Sequence, residues 1–221
     1  MSTESQFWWN WWVSLSAAAA TLAAVLVALF GDWIKSRLFS PKLALRLRNT
    51  IGEKTIVELQ WQTEQGLQKR NEEGRYYHVR VSNQVRWPSA NQTQVYILRV
   101  EEPGPDGELQ VTWSGELPVQ WTHQAIYPVA RTIGPGAYCD LCSVVKNKWV
   151  QLHPLIFPNN FPLQWRSAAT LVVSLQARGN EGESPISRFQ IAWDGKWADG
   201  DTEMTRHLVV KDVTREGLTP G

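Results

Sequence analysis

The sequence predicts an all-β sandwich of about eight or nine short strands, preceded by one N-terminal transmembrane helix. Three observations carry that expectation. Residues 5–31 hold no charged side chain. All 12 prolines and 14 of the 15 glycines fall after Ser40, so a breaker-free segment precedes a region full of turns. Between those turns, short runs alternate apolar and polar residues with the period of a half-buried strand.

The helix is expected over residues 11–34, after a short flank (1–10) and before a basic juxtamembrane linker (35–41). From Trp12 to Trp33 it would span roughly 30 Å, the thickness of a bilayer's hydrocarbon core. A signal peptide would need a basic n-region, a shorter apolar core and a small-residue cleavage site. Residues 1–31 contain no Lys or Arg, and Phe30-Gly31-Asp32-Trp33 offers no such site, so the segment reads as an uncleaved anchor. Trp8, Trp9, Trp11 and Trp12 crowd one end and Trp33 marks the other, the placement of interfacial aromatic belts. Basic residues follow the helix (Lys35, Arg37, Lys42, Arg46, Arg48) and none precedes it. The positive-inside rule then predicts a cell-membrane protein with its N-terminus outside and its C-terminal domain in the cytoplasm. Lys35 and Arg37 read as snorkelling flank residues. Ser16, Ala20, Ala24 and Ala28 recur every four residues, a small-residue face through which two helices could pack as a homo-oligomer.

The remaining domain, 42–215 with a tail at 216–221, is long enough for one core without disulfide staples. Its first strand is expected at 42–48, where leucines alternate with basic residues. The next, 77–83, turns Tyr77, Val79 and Val81 inward. A proline-containing loop (84–90) leads to a third at 94–101. Further strands are expected at 119–121, 138–146, 150–155, 170–177, 187–193 and 207–213, with 170–177 and 187–193 forming an antiparallel hairpin across 179–185. Residues 59–73 are polar and lack an apolar stripe, so extended or loop structure is expected there. Net charge is +1, which offers no basic field for nucleic acid.

Val79-Arg80-Val81-Ser82-Asn83, a loop ending in small residues at Ala90, and a long hydrophobic strand form a recurring element. It resembles one found in bacterial immunoglobulin-like domains. The layout as a whole is similar to a set of uncharacterised bacterial single-pass membrane proteins with an immunoglobulin-like β-sandwich in the cytoplasm. The resemblance implies that fold and supplies no functional residues.

Cys139-Asp140-Leu141-Cys142 is the first place to look for chemistry. A zinc site usually needs two such pairs; here a Cys2His2 set would require His123 and His153 to fold alongside Cys139 and Cys142, and buried structural thiols are the simpler reading. The acidic, glycine-rich segment 194–203 matches no EF-hand register and reads as a polar turn. Histidines 78, 123, 153 and 207 stand in no nucleophile or metal motif. His78 and His207 sit in expected strands, as solvent-facing or hydrogen-bonded side chains. Arg86, Trp87 and Trp165 stand in loop contexts and are binding anchors if exposed, or edge-packed residues if not.

No enzyme motif and no cofactor are implied. The sequence points to a non-enzymatic, membrane-anchored binding or scaffold module, with the lipid bilayer and another protein as partners. The alternatives are an effector or sensor whose helices assemble on ligand binding, and a small membrane-bound enzyme using His and Asp, which a deep polar pocket would favour.

Overall fold

The computed structural model describes residues 3–38, 40–64, 66–85, 88–123, 129–134 and 136–214. The chain divides into two compact units, Met1–Ser40 and Pro41–Gly221.

The first unit is one helix, α1 (Thr3–Leu38). It runs through most of the expected N-terminal flank and into the segment expected as a linker, because Pro41 is the first residue that cannot continue it. Within α1, Trp11–Gly31 has a mean hydropathy of 2.3 and is long and apolar enough to cross a membrane. Two of its three hydroxyls are seen to return to the backbone: Ser16 donates to the Val13 carbonyl at 2.8 Å and Thr21 to that of Ala17 at 2.9 Å. Neither polar group is then left unpaired in an apolar surrounding. Ser16, Ala20, Ala24 and Ala28 are exposed on the helix surface, as are Trp8, Trp9, Trp11 and Trp12. The rings of Trp8 and Trp11, and of Trp11 and Trp12, meet edge to face at 6.1 and 5.2 Å. Trp33, Lys35 and Arg37 lie on the last turns of the helix.

The second unit is a sandwich of two antiparallel sheets. Its strands are β1 (Leu43–Leu47), β2 (Glu53–Thr63), β3 (Gly66–Asn83), β4 (Ala90–Pro103), β5 (Leu109–Pro118), β6 (Arg131–Ile133), β7 (Ala137–Val145), β8 (Trp149–Leu152), β9 (Gln164–Trp165), β10 (Ala169–Gly179), β11 (Gly182–Glu183), β12 (Ser187–Trp193) and β13 (Leu208–Asp212). A short helix, α2 (Asp201–His207), precedes β13. The first sheet runs β1-β3-β7-β8-β9, with β2 also on β3; the second runs β13-β12-β10-β4-β5, with β6 on β4 and β11 on β10. Val79, Val81, Cys139 and Cys142 from the first sheet meet Ile97, Val173, Leu175, Phe189 and Ile191 from the second in one buried core.

Expected strands are present at β1, the end of β3, β4, β7, β8, β10, β12 and β13, and β10 pairs β12 as an antiparallel hairpin. Residues 119–121 hold isolated bridges to Pro154 and Cys139 in place of a strand. The thirteen strands among the described residues exceed the eight or nine expected because β2, β5 and three two- or three-residue strands are additional, and β3 begins well before the stretch expected. The polar stretch 59–73 belongs to the β2–β3 hairpin. β7 takes up β3 only from Gly74, so before Glu73 the backbone of β3 pairs with β2 alone, from Val57↔Glu72 out to Thr63↔Gly66. This two-stranded arm runs on beyond the sheet for roughly 20 Å. It leaves Ile56, Trp61 and Leu67 exposed.

The crossing between sheets after β3 shows why its sequence element ends in Asn. Asn83 accepts from the backbone N–H of Lys42 at 2.9 Å and of Val85 at 3.3 Å, and donates to the Pro88 carbonyl at 2.6 Å. One amide side chain thereby ties β1 to the loop, a side-chain turn that Asn and Asp make readily. Ala90, at the loop's far end, is fully buried.

The acidic segment 194–203 closes one end of the sandwich. Arg75 of β3, 1% exposed, donates to Asp201 at 2.7 Å and to the Asp199 carbonyl at 3.3 Å. Lys146 bridges Glu73 at 2.7 Å and the Asp199 carboxylate at 2.9 Å, and Trp197 donates to that carboxylate at 2.7 Å. Lys54 donates to the Asp199 carbonyl as well. Hydrogen bonds from Lys146 and Trp197 hold Asp199 down at about 2. Two carboxylates of this acidic segment, Asp199 and Asp201, are thus taken up by cations of the opposite sheet, and Asp194 by His207. Residues 201–207 are a helix here, not a turn, with Met204 buried beneath them.

Candidate binding site on the first sheet

Strand alternation sets the site. In β3, Tyr77 and Val79 enter the core, which turns Tyr76 and His78 outward; in β7, Cys139 and Cys142 enter the core and Asp140 turns outward. Leu141 is the extra residue of a bulge there, since Tyr77 pairs Cys142 while His78 pairs Asp140. The bulge keeps His78 opposite Asp140 and both thiols inside.

The outward groups form a connected floor. His78 Nδ1 lies 2.8 Å from Asp140 Oδ1, and its Nε2 lies 3.4 Å from Glu53 Oε2. Thr122 donates to the same Asp140 oxygen at 2.6 Å. The Tyr76 ring stacks between His78 (6.3 Å) and His153 (4.9 Å), and His153 Nε2 meets Ser143 Oγ at 2.8 Å. Burial alone would raise Asp140, but hydrogen bonds from His78 and Thr122 hold its carboxyl below the usual range. Burial pushes His153 down to about 4, against the pull of Asp140. Burial, reinforced by Asp140, raises the Tyr76 phenol, so it stays protonated.

Above this floor opens a cavity of about 380 Å³, lined by Glu53, Lys54, Thr55, Ile56, Tyr76, His78, Thr122, His123 and Asp140. One wall is the base of the β2–β3 arm. The other is the segment at Thr122–His123, where His123 adopts a left-handed φ of 57° at the rim. Acceptors (Asp140, Glu53), the Thr122 hydroxyl, the Tyr76 and His78 rings and the chain at Ile56 line it, while the Lys54 ammonium is held by the Asp199 carbonyl; this is the mixed lining of a small binding pocket.

The residues singled out from sequence fall elsewhere. Cys139 and Cys142 are free and fully buried, and burial with the nearby Asp140 charge raises both thiols far above their ordinary value. Cys139 Sγ rests 3.7 Å from the Val79 carbonyl, on the opposite face from His153. No group of three or more His, Cys, Asp or Glu placed to hold a metal ion occurs among the described residues. Trp165 pairs with Val150 at the edge of the first sheet and packs, partly buried, against the core. Arg86 and Trp87 lie outside the described residues. His207 is hydrogen-bonded to Asp194 at 2.8 Å.

Sequence reasoning weighed His78 and His153 singly and missed their convergence with Asp140. A signal was present: an aspartate between apolar neighbours in a strand must face away from the core. Attention to the flanking cysteines hid it. No family model matches this chain, and no curated protein or solved structure matches it.

Proposed function

We propose that this protein is a membrane-anchored, non-enzymatic binding module, whose sandwich domain offers the cavity and arm of its first sheet to a partner protein on the cytoplasmic face. The observation that carries this reading is the cavity beside a projecting arm, with a floor whose polar groups are tied to one another. His78 has a carboxylate at each ring nitrogen, which suits a rigid recognition surface better than a proton shuttle. Immunoglobulin-like sandwiches present binding surfaces through loops and edges in this way, and the Asn83-tied crossing supports that description of the fold. The apolar helix acts as an uncleaved anchor, and the basic residues after it favour a cytoplasmic domain.

A photo-reactive residue placed at Thr55 in the full-length protein, irradiated in its native membrane, is expected to yield one discrete protein adduct. The same label at Leu109, exposed on the second sheet, is expected to yield none. Equal or absent labelling from the two positions removes the reading.

A second reading, acid–base chemistry in the cavity, is favoured by one feature: Asp140 orients His78 through Nδ1, as a carboxylate orients a general base. A substrate would then have to displace Glu53 from Nε2. Turnover of ester or phosphate substrates by the wild-type protein, lost in H78N, would replace the binding proposal with this one.

A further inference from the structure

We propose that the β2–β3 arm joins two copies of this chain, β2 adding edge to edge to β2 of the second copy in antiparallel register centred on Leu59. The inference is independent of the cavity.

Three observations lead to it. First, among the described residues β2 pairs only with β3, so one edge of an 11-residue strand presents N–H and C=O groups to a further strand. A two-stranded ribbon of this kind is marginal in water, and a further strand on either side stabilises it. Second, the arm carries Val57, Leu59 and Trp61 on one face of the same strand, with Trp61 44% exposed. Third, β2 is complementary to itself in antiparallel register. A two-fold axis normal to the sheet must place a residue opposite itself or a neighbour two, four or more positions away, so that paired side chains share a face.

Centring the axis on Glu58 would set two carboxylates against each other at the middle. Centring it on Leu59 sets Leu59 against Leu59, Val57 against Trp61 and Glu58 against Gln60. Carried one residue past Thr63, the same register brings Glu64, in the turn, opposite Lys54 at both extremities, where the ammonium would exchange its own Asp199 carbonyl for the carboxylate. The result is an apolar row on one face, no like charges opposed, and two ion pairs. The antiparallel arrangement also places the two sandwich bodies at opposite ends of the four-stranded ribbon, clear of each other. A second copy meets these requirements as one occupant. An unrelated peptide would share the backbone pairing but has no reason to supply this side-chain order.

The test uses the full-length chain in detergent micelles and in nanodiscs. L59C, under mild oxidation, is expected to give a covalent dimer on a non-reducing gel, because residues opposed across antiparallel strands approach within disulfide reach. E58C and Q60C are each expected to link poorly alone and well when mixed. K69C, on the far strand of the hairpin, is the background. For the unlinked protein, sedimentation should show a dimer that K54E weakens roughly tenfold, through two repulsive pairs. The double variant K54E/E64K should restore it. A monomeric wild-type protein overturns the proposal, as does L59C linking no faster than K69C. A dimer unaffected by K54E, and lost instead when Ala20 and Ala24 become Leu, assigns association to the helix and overturns it equally. Far-ultraviolet circular dichroism of each variant establishes that the fold is retained.

Discussion

Gly52 and His153 show how single residues tune the stability of the sandwich. Gly52 sits at φ 76° in the turn before β2, where the Asn49 side chain accepts from the N–H groups of Ile51 (3.2 Å) and Gly52 (2.7 Å). A Cβ added there would come within 2.8 Å of the buried Tyr77 ring. Left-handed backbone and a fixed aromatic neighbour both oppose a side chain, so G52A is expected to destabilise the fold by about 2 kcal/mol in urea unfolding. His153 acts through protons. Its pKa falls from 6.5 to about 4 on folding, so between those values the unfolded chain binds more protons. Stability is therefore full above about pH 6.5 and is lost as pH falls through the window, by up to about 3 kcal/mol at its lower end. H153Q, which can still bond Ser143 but cannot titrate, is expected to flatten the unfolding free energy between about pH 7 and pH 5. Asp140, held low, contributes its own loss only below the ordinary carboxylate range, so the two effects separate on the pH axis. An unchanged slope in H153Q would refute the assignment.

At the scale of elements, the ionic closure between the sheets depends on which partner is removed. Arg75 is buried while Asp201 is largely exposed, so D201N strands a guanidinium inside the protein and R75M does not. Accordingly D201N is expected to be the more destabilising of the two. In the double variant the asparagine change should cost little further, a coupling that a double-mutant cycle reads directly. Equal losses from the single variants would mean that the Asp199 and Ile51 carbonyls alone satisfy Arg75. The same contrast between buried and exposed explains which elements were legible in the sequence. β12 alternates buried and half-buried residues without interruption and was readable over its whole length. β5 was not: its pairing with β4 shifts register twice, between Ile97 and Arg99 and between Val100 and Glu101, and each bulge breaks the period of two. The arm has no core on either side: Val57, Leu59 and Trp61 alternate in its first strand, but its second is polar without interruption from Gln68 to Glu73, so the two strands could not be read as a pair. Helix α2 has seven residues, one buried methionine and no side-chain cap, too little for a helical period. The cavity floor was hidden for another reason: Tyr76, His78, Thr122, Asp140 and His153 come from distant stretches of chain, joined only by sheet pairing.

At the scale of the whole molecule, the two units impose separate physical requirements, and these decide what an anchor would do. The core cluster of the sandwich draws its buried residues from Leu43 to Val210, so that domain holds its own apolar interior. The helix has no such interior. Its run from Trp11 to Gly31 must either enter a bilayer or leave 17 apolar side chains in water, at roughly 25 cal/mol for each Å² of that surface. Backbone hydrogen bonds within the helix, and the returned hydroxyls of Ser16 and Thr21, reduce the polar penalty of insertion. A cleaved signal segment would satisfy the same energetics while releasing the sandwich. The two outcomes differ in what remains attached. Carbonate-washed membranes are expected to retain the full-length protein in the pellet, with Trp8 through Trp12 still present on N-terminal sequencing of the mature chain. A truncated product in the supernatant would mean that the helix is removed and the domain released. For the retained chain, a reporter fused to the C-terminus is expected to be active in the cytoplasm, since all the basic residues near the helix follow it. Activity on the outer side would place the cavity and arm before extracellular partners, and would leave the pairing of β2 with its twin unaltered, because that interface depends on strand register and not on which side of the bilayer it faces.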